Sequence, residues 1–465
     1  LALALGLGEL SLAQEPAAVS PAPTPAEPDT FHLPGAPFVP MAPESTTPGA
    51  GEGTEPPVNP YAGDLFTRPY LTGDWLGARS ALADRGLTFD LHSTQFYQGV
   101  ASGGREQEFQ YGGKLDYLFN LDGGKLGLWQ GFFVDLHAET RYGEDVNGID
   151  GLLAPANLVM AFPEPNTSIT SITGLKLTQA LSENFAVYLG KINTLDEYPV
   201  RFNPHFVGLP GRGGFLNTSL VFNPIAARTI PYAAAGVGAA VLREGEPLFT
   251  FTVFDPEERA AKGLEDLFTR GVVLVPDLAL RGKPLGRPGV YNFGGTYSNA
   301  RYRSFDPAAY LDILGQLGRG DPVLDVLSPE ETGSWSVYSN FYQSLWVDPC
   351  DEERNWGLFG QFGLSDGNPN PVRYVANGGV AGRSMIPGRA LDTFGVGYFY
   401  LGLSDNFKAL ARPIRPQRDE YGVELFYNLA VTPWCRLSSD LQIARPSTVE
   451  FDTAIITGLR LQVLF

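Results

Sequence analysis

The sequence predicts an all-β fold, a 16-stranded antiparallel transmembrane β-barrel entered through a short N-terminal periplasmic helix. Three observations point there. Segments near ten residues long alternate apolar and polar side chains, the period of a strand with two different faces. Short turns on one side of these segments alternate with long polar connections on the other, and the segment count is even. The composition is rich in aromatics (12%) and glycine (55 residues) and poor in charge (18%), below the usual quarter. Alternation alone serves a soluble sandwich equally well. What favours the membrane is an export signal, no second set of core-covering helices, and aromatics near the strand ends.

The first residues, LALALGLGELSLAQ, have the length of a signal-peptide apolar core, with Ser11 and Ala13 at the small-residue positions before a cut. Residues 1–13 are therefore expected to be a signal remnant. Residues 14–64 are dominated by Pro, Ala, Glu, Thr and Gly and are expected to form a disordered spacer, because such a segment cannot bury a core. The barrel itself should occupy 65–465. Its opening stretch, DWLGARSALADRGLTFDLHSTQ, predicts one helix over 74–85, with Asp74 as N-cap and Gly86 as a left-handed stop. Trp75, Ala78 and Leu82 would pack on the barrel rim, leaving Arg79 and Arg85 toward solvent or pore. Past Gly86 the period becomes two: Leu87, Phe89 and Leu91 on one face, Thr88, Asp90 and His92 on the other.

The alternation continues through 109–120, 129–142, 172–181, 184–193, 230–243, 247–255, 270–279 and 289–300. It resumes over 336–347, 356–365, 373–384, 391–402, 420–431, 436–444 and 455–465. In lipid an unpaired strand edge leaves backbone groups without partners, so the ring must close, with apolar faces outward and polar ones lining a lumen.

A net charge of −18 without a cluster of Lys and Arg excludes nucleic-acid binding, which needs a basic stripe. No run approaches the roughly 18 apolar residues of a membrane-spanning helix. Cys350 and Cys435 are too few for a Cys-rich metal site or a disulfide-built fold, and they fall on turns several strands apart, which predicts no bond between them. His32, His92, His137 and His205 lack HExxH spacing, so no metal and no cofactor is expected. His92 and His137 read as polar wall.

The stretch LTGDWLGARSALADRGLTFDLHSTQFYQGVASGG resembles the N-terminal signature of the carbohydrate-selective porin (OprB) family. LGKINTLDEY, GFLNTSLVFNP, NWGLFGQFGLSDGNPNP, GRSMIPGRALDTFGVGYFY, ELFYNLAVTPWCRLSSDLQIARP and the terminal phenylalanine add further matches in order. The resemblance implies a bacterial outer-membrane barrel through which mono- and oligosaccharides diffuse, and a Phe465 that addresses the chain to the assembly machinery. Two alternatives stay open on the same fold. One is a general porin, or one preferring cations or organic acids; the other is a structural barrel tethered to the cell wall by the Pro-rich segment. A homotrimer is expected only by analogy with porins.

A sixteen-stranded barrel is wide enough for water, so selectivity requires a segment folded inward. The connection 194–229 is the candidate, presenting Asp196, Glu197, Arg201, Arg212, Asn217 and Arg228 with Phe202, Phe206 and Phe215. Facing it, Lys114, Asp116, Asp135, Glu139, Arg141, Glu424, Arg436, Asp440 and Arg460 would complete a constriction in contact with the solute. Opposed charges, amides and aromatic faces suit polyhydroxylated neutral solutes. Enzymatic activity is not expected. Carboxylate pairs such as Asp135 and Glu139 are ordinary in a polar lumen, and neither a GxSxG elbow nor a phosphate loop occurs.

Overall fold

The computed structural model describes residues 59–164, 167–197, 214–310 and 329–465. The proposed signal remnant, nearly all of the spacer, Arg201, Arg212, Phe202, Phe206 and the Glu197 side chain lie outside the described residues.

Within them the chain runs up and down through β1 (Leu87–Gly104), β2 (Phe109–Asp122), β3 (Phe132–Gly143), β4 (Ile169–Ser182), β5 (Phe185–Asn193), β6 (Ala233–Arg243), β7 (Glu246–Phe254) and β8 (Val273–Gly282). It returns through β9 (Gly289–Arg303), β10 (Glu330–Asp348), β11 (Asp351–Ser365), β12 (Val372–Arg383), β13 (Thr393–Leu403), β14 (Glu420–Thr432), β15 (Cys435–Arg445) and β16 (Asp452–Leu464). Every strand pairs with its sequence neighbours, and β16 closes the ring on β1, from His92 opposite Leu464 to Gly104 opposite Asp452. No backbone edge is left for lipid.

The sixteen strands are those the periodicity predicts, including the one over 270–279, found at Val273–Gly282. Pro276 interrupts its ladder to β9 between Leu274 and Asp277, because proline has no N–H to donate. Strand ends differ most on the side of the long connections: β1 continues to Gly104 and β10 already starts at Glu330. Above the lipid no apolar face is required, so the sequence alternation fades while the hydrogen-bonded ladder goes on.

The faces follow the reading. Leu189, Val337, Phe362 and Leu459 are exposed outward. Near the long-loop rim the outward Tyr374, Tyr400 and Tyr421 stack at 5.8 and 6.2 Å, a stretch of interfacial aromatic girdle. Cys350 sits on the β10–β11 turn and Cys435 opens β15 directly after the β14–β15 turn, as separate thiols.

The N-terminal helix departs from expectation. It is split into a single 3-10 turn, Trp75–Gly77, and α1, Ala78–Asp84, with Gly77 left-handed (φ 92°) between them. Asp74 still acts as the cap from three residues further back, accepting from the Ser80 amide at 2.8 Å and from its hydroxyl at 2.7 Å. Gly86 is the left-handed stop (φ 88°). The buried face, however, is the one carrying Arg79, whereas Trp75 and Leu76 are exposed. Arg79 pairs with Asp90 on the inward face of β1 and donates to the Phe89 carbonyl at 2.9 Å and the Phe465 carbonyl at 3.0 Å. Its guanidinium lies 3.9 Å from the Tyr70 ring centroid and 4.6 Å from that of Tyr61. A buried carboxylate in the wall demanded a cation more strongly than the rim demanded apolar contact. Arg79 therefore ties the N-terminal segment to the seam where the first and last strands close.

Candidate functional site

L3, the connection 194–232 between β5 and β6, runs along the inside of the barrel over its described part. Its ends are pinned together, with the Thr194 hydroxyl donating to the Pro231 carbonyl at 3.0 Å. LNTSLVFNPIAAR contains two helix starts. Asn217 accepts from the Ser219 amide at 3.0 Å and caps Thr218–Val221, and Asn223 precedes Pro224, opening Pro224–Arg228. These two short turns project Phe215, Leu220, Val221, Phe222 and Ile225 into a buried apolar cluster.

That cluster includes Phe359, Phe399 and Phe426, on the inward faces of β11, β13 and β14, and Phe215 packs 5.3 Å from Phe359 and 4.9 Å, edge on, from Phe426. The inner wall is thus not uniformly polar, as the alternation implies. It is apolar where the loop covers it, because L3 supplies the burial that water would deny. The sequence signal is visible in LFGQFGL and TFGVGYFYLGL, where both faces are apolar.

Polar residues of the wall, with Asn370 of the β11–β12 connection, finish the docking by gripping the loop backbone. The Glu424 carboxylate accepts from the amides of Leu216 (2.5 Å) and Asn217 (2.9 Å). Arg460 donates to the Gly214 carbonyl at 2.8 Å, Gln361 to that of Leu220 at 3.3 Å, and Asn370 to that of Ile225 at 2.9 Å. Four residues before Glu424, on the same face, Glu420 does the same for L2 (144–168), accepting from Leu153 (2.7 Å) and Ala154 (3.0 Å). L2 and L3 meet through the Thr218 amide on the Pro155 carbonyl (3.0 Å) and the Leu158 amide on the Leu216 carbonyl (2.9 Å). Gln442 on β15 joins both loops to the wall, donating to the Ala156 carbonyl and to Asp440 while accepting from Asn217. Within L2, burial pushes the Asp150 carboxyl well above the usual carboxylate range, although it accepts from the Leu152 and Ala156 amides.

Lys114, Asp116, Glu139 and Arg141 share one fully buried region on β2 and β3. The Lys114 ammonium pairs with Glu139 and, at 3.2 Å, with Asp116. His137 lies between them, with Nε2 at 3.2 Å from Asp116 and Nδ1 at 3.4 Å from Asp196, and the Tyr232 hydroxyl donates to Glu139. Asp116, His137 and Glu139 bring ligand atoms within 4.8 Å of one another. Lys114 already sets its ammonium against both carboxylates, so the cluster carries its own cation. Arg141 pairs with Asp145 and donates to the Met160 and Thr167 carbonyls at 2.6 and 2.7 Å, holding L2 inward.

Asp196 thus joins this cluster, and Asn217 caps a loop turn; Arg228 rests over the Tyr302 ring at 5.0 Å and donates to the Arg303 carbonyl at 3.2 Å. Asp135 faces Lys176 in register, and Arg436 lies inward on β15. His137, read as plain wall, is the residue the spacing argument missed. Its role depends on β3 meeting β2 and the start of L3, and that is a tertiary fact.

On the sector from β4 to β10 the wall carries Lys176, Tyr188, Thr252, Asp277, Asn292 and Tyr338 on its inner face. They are bonded in two sets, Tyr188 with Thr252 at 2.6 Å, and Asn292 and Tyr338 to Asp277 at 2.6 and 3.1 Å, while the Lys176 ammonium lies 5.8 Å from the Tyr188 ring centroid.

Comparison with known proteins matches this architecture. The profile of "Carbohydrate-selective porin, OprB family" covers residues 106–465. Porin B of Pseudomonas aeruginosa is 27% identical over 216 residues, which is 42% of this chain and 46% of that protein, so the match spans about half the length of the curated relative. A high-pH structure of OprB from Pseudomonas putida superposes with a TM-score of 0.73 at 20% identity, over 85% of this chain and 98% of that one. The low-pH structure of the same protein gives 0.50 at 18% identity over the same shares. At these identities the likeness establishes the fold.

Proposed function

This chain belongs to the carbohydrate-selective porin family, OprB, and from that premise we propose that it passes small sugars by diffusion through a lumen narrowed by L2 and L3. It is an outer-membrane β-barrel, and its family and fold are those of porin channels. The observation that carries the reading is the docking of L3 along the inner wall by Glu424, Arg460, Gln361 and Asn370. A loop held at this many points keeps a fixed aperture, as size selection requires. The hydroxyl, amide and ring groups of the β4–β10 sector offer polyols many donors and acceptors, each weak enough to release.

In this reading most of the charged residues singled out in the sequence hold the aperture rather than touch the solute. Liposomes carrying the protein should swell in mono- and disaccharide solutions faster than in larger oligosaccharides. Swelling that is indifferent to solute size would reject the reading. A preference for cations is favoured by the net charge of −18, and reversal potentials in a salt gradient separate the two. No catalytic activity is assigned. Residues 14–64 are proposed as a Pro-rich spacer and Phe465 as the assembly signal, and trimer formation rests on analogy with porins.

A further inference from the structure

L4 (255–272), between β7 and β8, lies on the outside of the barrel. The register shows this. Leu189 and Val237 are opposite one another and exposed outward, so Lys191 and Ala235, two residues further toward the long-loop rim on each strand, also point outward. Yet Ala235 is only 4% exposed and Lys191 7%. What covers them is L4: the Lys191 ammonium donates to the Ala260 carbonyl at 3.0 Å and the Lys262 carbonyl at 3.1 Å. The Arg259 amide donates to the Ala233 carbonyl at 2.8 Å, while the Asp255 amide donates to that of Ala235 at 2.8 Å.

The loop is preorganised. The Asp255 carboxylate pairs with Arg259 at 3.1 Å and accepts from the Phe268 amide at 2.7 Å, and Glu258 accepts from the Tyr232 and Ala260 amides at 2.6 and 2.8 Å. Asp266 and Phe268 take left-handed backbone conformations (φ 52° and 60°). That conformation is unfavourable for residues with a side chain, so it persists only where the surrounding bonds hold it. The turn leaves three large apolar side chains in the open: Leu264 at 48%, Leu267 at 38% and Phe268 at 38% exposed. L4 runs into β8 at Val273, where Leu274 pairs with the outward Tyr297, itself 53% exposed.

We propose that L4 is a wall-hugging flap whose Leu264, Leu267 and Phe268 insert into the outer leaflet at the boundary between headgroups and acyl chains. The occupant is a lipid surface, because the apolar tip continues the lipid-facing belt of the barrel rather than forming a separate patch. The flap does two things at once. It removes Lys191 from contact with hydrocarbon by giving the ammonium backbone acceptors, and it adds an apolar wedge beside the thin, glycine- and alanine-rich β6.

The test uses the full chain in liposomes with Cys350 and Cys435 replaced by Ser and a single nitroxide at L267C. L189C serves as the lipid-facing control and I414C, exposed on the 404–419 connection, as the aqueous one. Collision with dissolved oxygen and with a water-soluble nickel chelate is measured by EPR. The flap reading expects L267C to resemble L189C, with several-fold preference for oxygen, and to lose that preference in the L264S/F268S background. A label as open to the nickel chelate as I414C would overturn it. So would label-to-label broadening that vanishes on dilution with unlabelled protein, since that places a second copy of the chain against the tip.

Discussion

Glu424 offers the sharpest perturbation of the aperture. Its carboxylate holds two consecutive amides of L3, at 2.5 and 2.9 Å, in a site sealed from water. Leaving a buried donor unpaired costs about 1–3 kcal/mol, so Glu424→Ala, which orphans two buried amides, removes roughly 2–6 kcal/mol of docking. At about 1.4 kcal/mol per decade, the undocking equilibrium of residues 214–217 shifts by ~30- to 20,000-fold. Arg460, Gln361 and Asn370 still hold their carbonyls, so L3 is loosened at one end rather than released. Single-channel recording in planar bilayers should show brief partial closures as the freed segment samples the lumen, with lower mean conductance. Glu424→Gln keeps one carbonyl oxygen and should fall between. Steady wild-type conductance from a Glu424→Ala protein that retains its heat-modifiable gel mobility would refute the argument that this carboxylate holds the aperture.

Arg79→Met leaves Asp90 as an unpaired buried charge, a loss of about 3–5 kcal/mol, and Arg79→Met/Asp90→Asn should recover most of it. Denaturant midpoints and proteolysis of the 59–77 segment check both variants. Burial raises the Glu258 carboxyl to about 7, against an ordinary 4.5. The folded state therefore holds its proton more tightly than the unfolded one, so L4 docking is firmest below about 4.5 and weakens as pH rises through about 7. Hydrogen-exchange protection of the Tyr232 and Ala260 amides should fall over that window in the wild type and stay flat in Glu258→Gln. Intact mass under non-reducing conditions should show no bond between Cys350 and Cys435, and a two-proton deficit would contradict the strand order.

The one-to-one match of strands has a local cause. Each strand must satisfy lipid on one face, so a period of two is written into every segment and can be read without knowing its neighbours. The same logic explains the apolar stretch of the inner wall. β11, β13 and β14 carry Phe359, Phe399 and Phe426 inward because L3 covers them, and a strand's own period says only that both faces are apolar.

Arg79 marks the same boundary at the rim. Helical spacing correctly places a helix and its glycine stop, but which face is buried depends on Asp90 and the Phe465 carbonyl, which come within reach only once β1 and β16 close. The sequence by itself determined the barrel, its strand number, the outward face and the long connection that turns inward. Tertiary structure decided the partners: Glu424 on the L3 amides, Lys114 between Asp116 and Glu139, Lys191 beneath L4. Faces are set by each residue's own contact with lipid or water, a local requirement. Partners are set by which distant groups share a buried space, and only the closed ring brings them together.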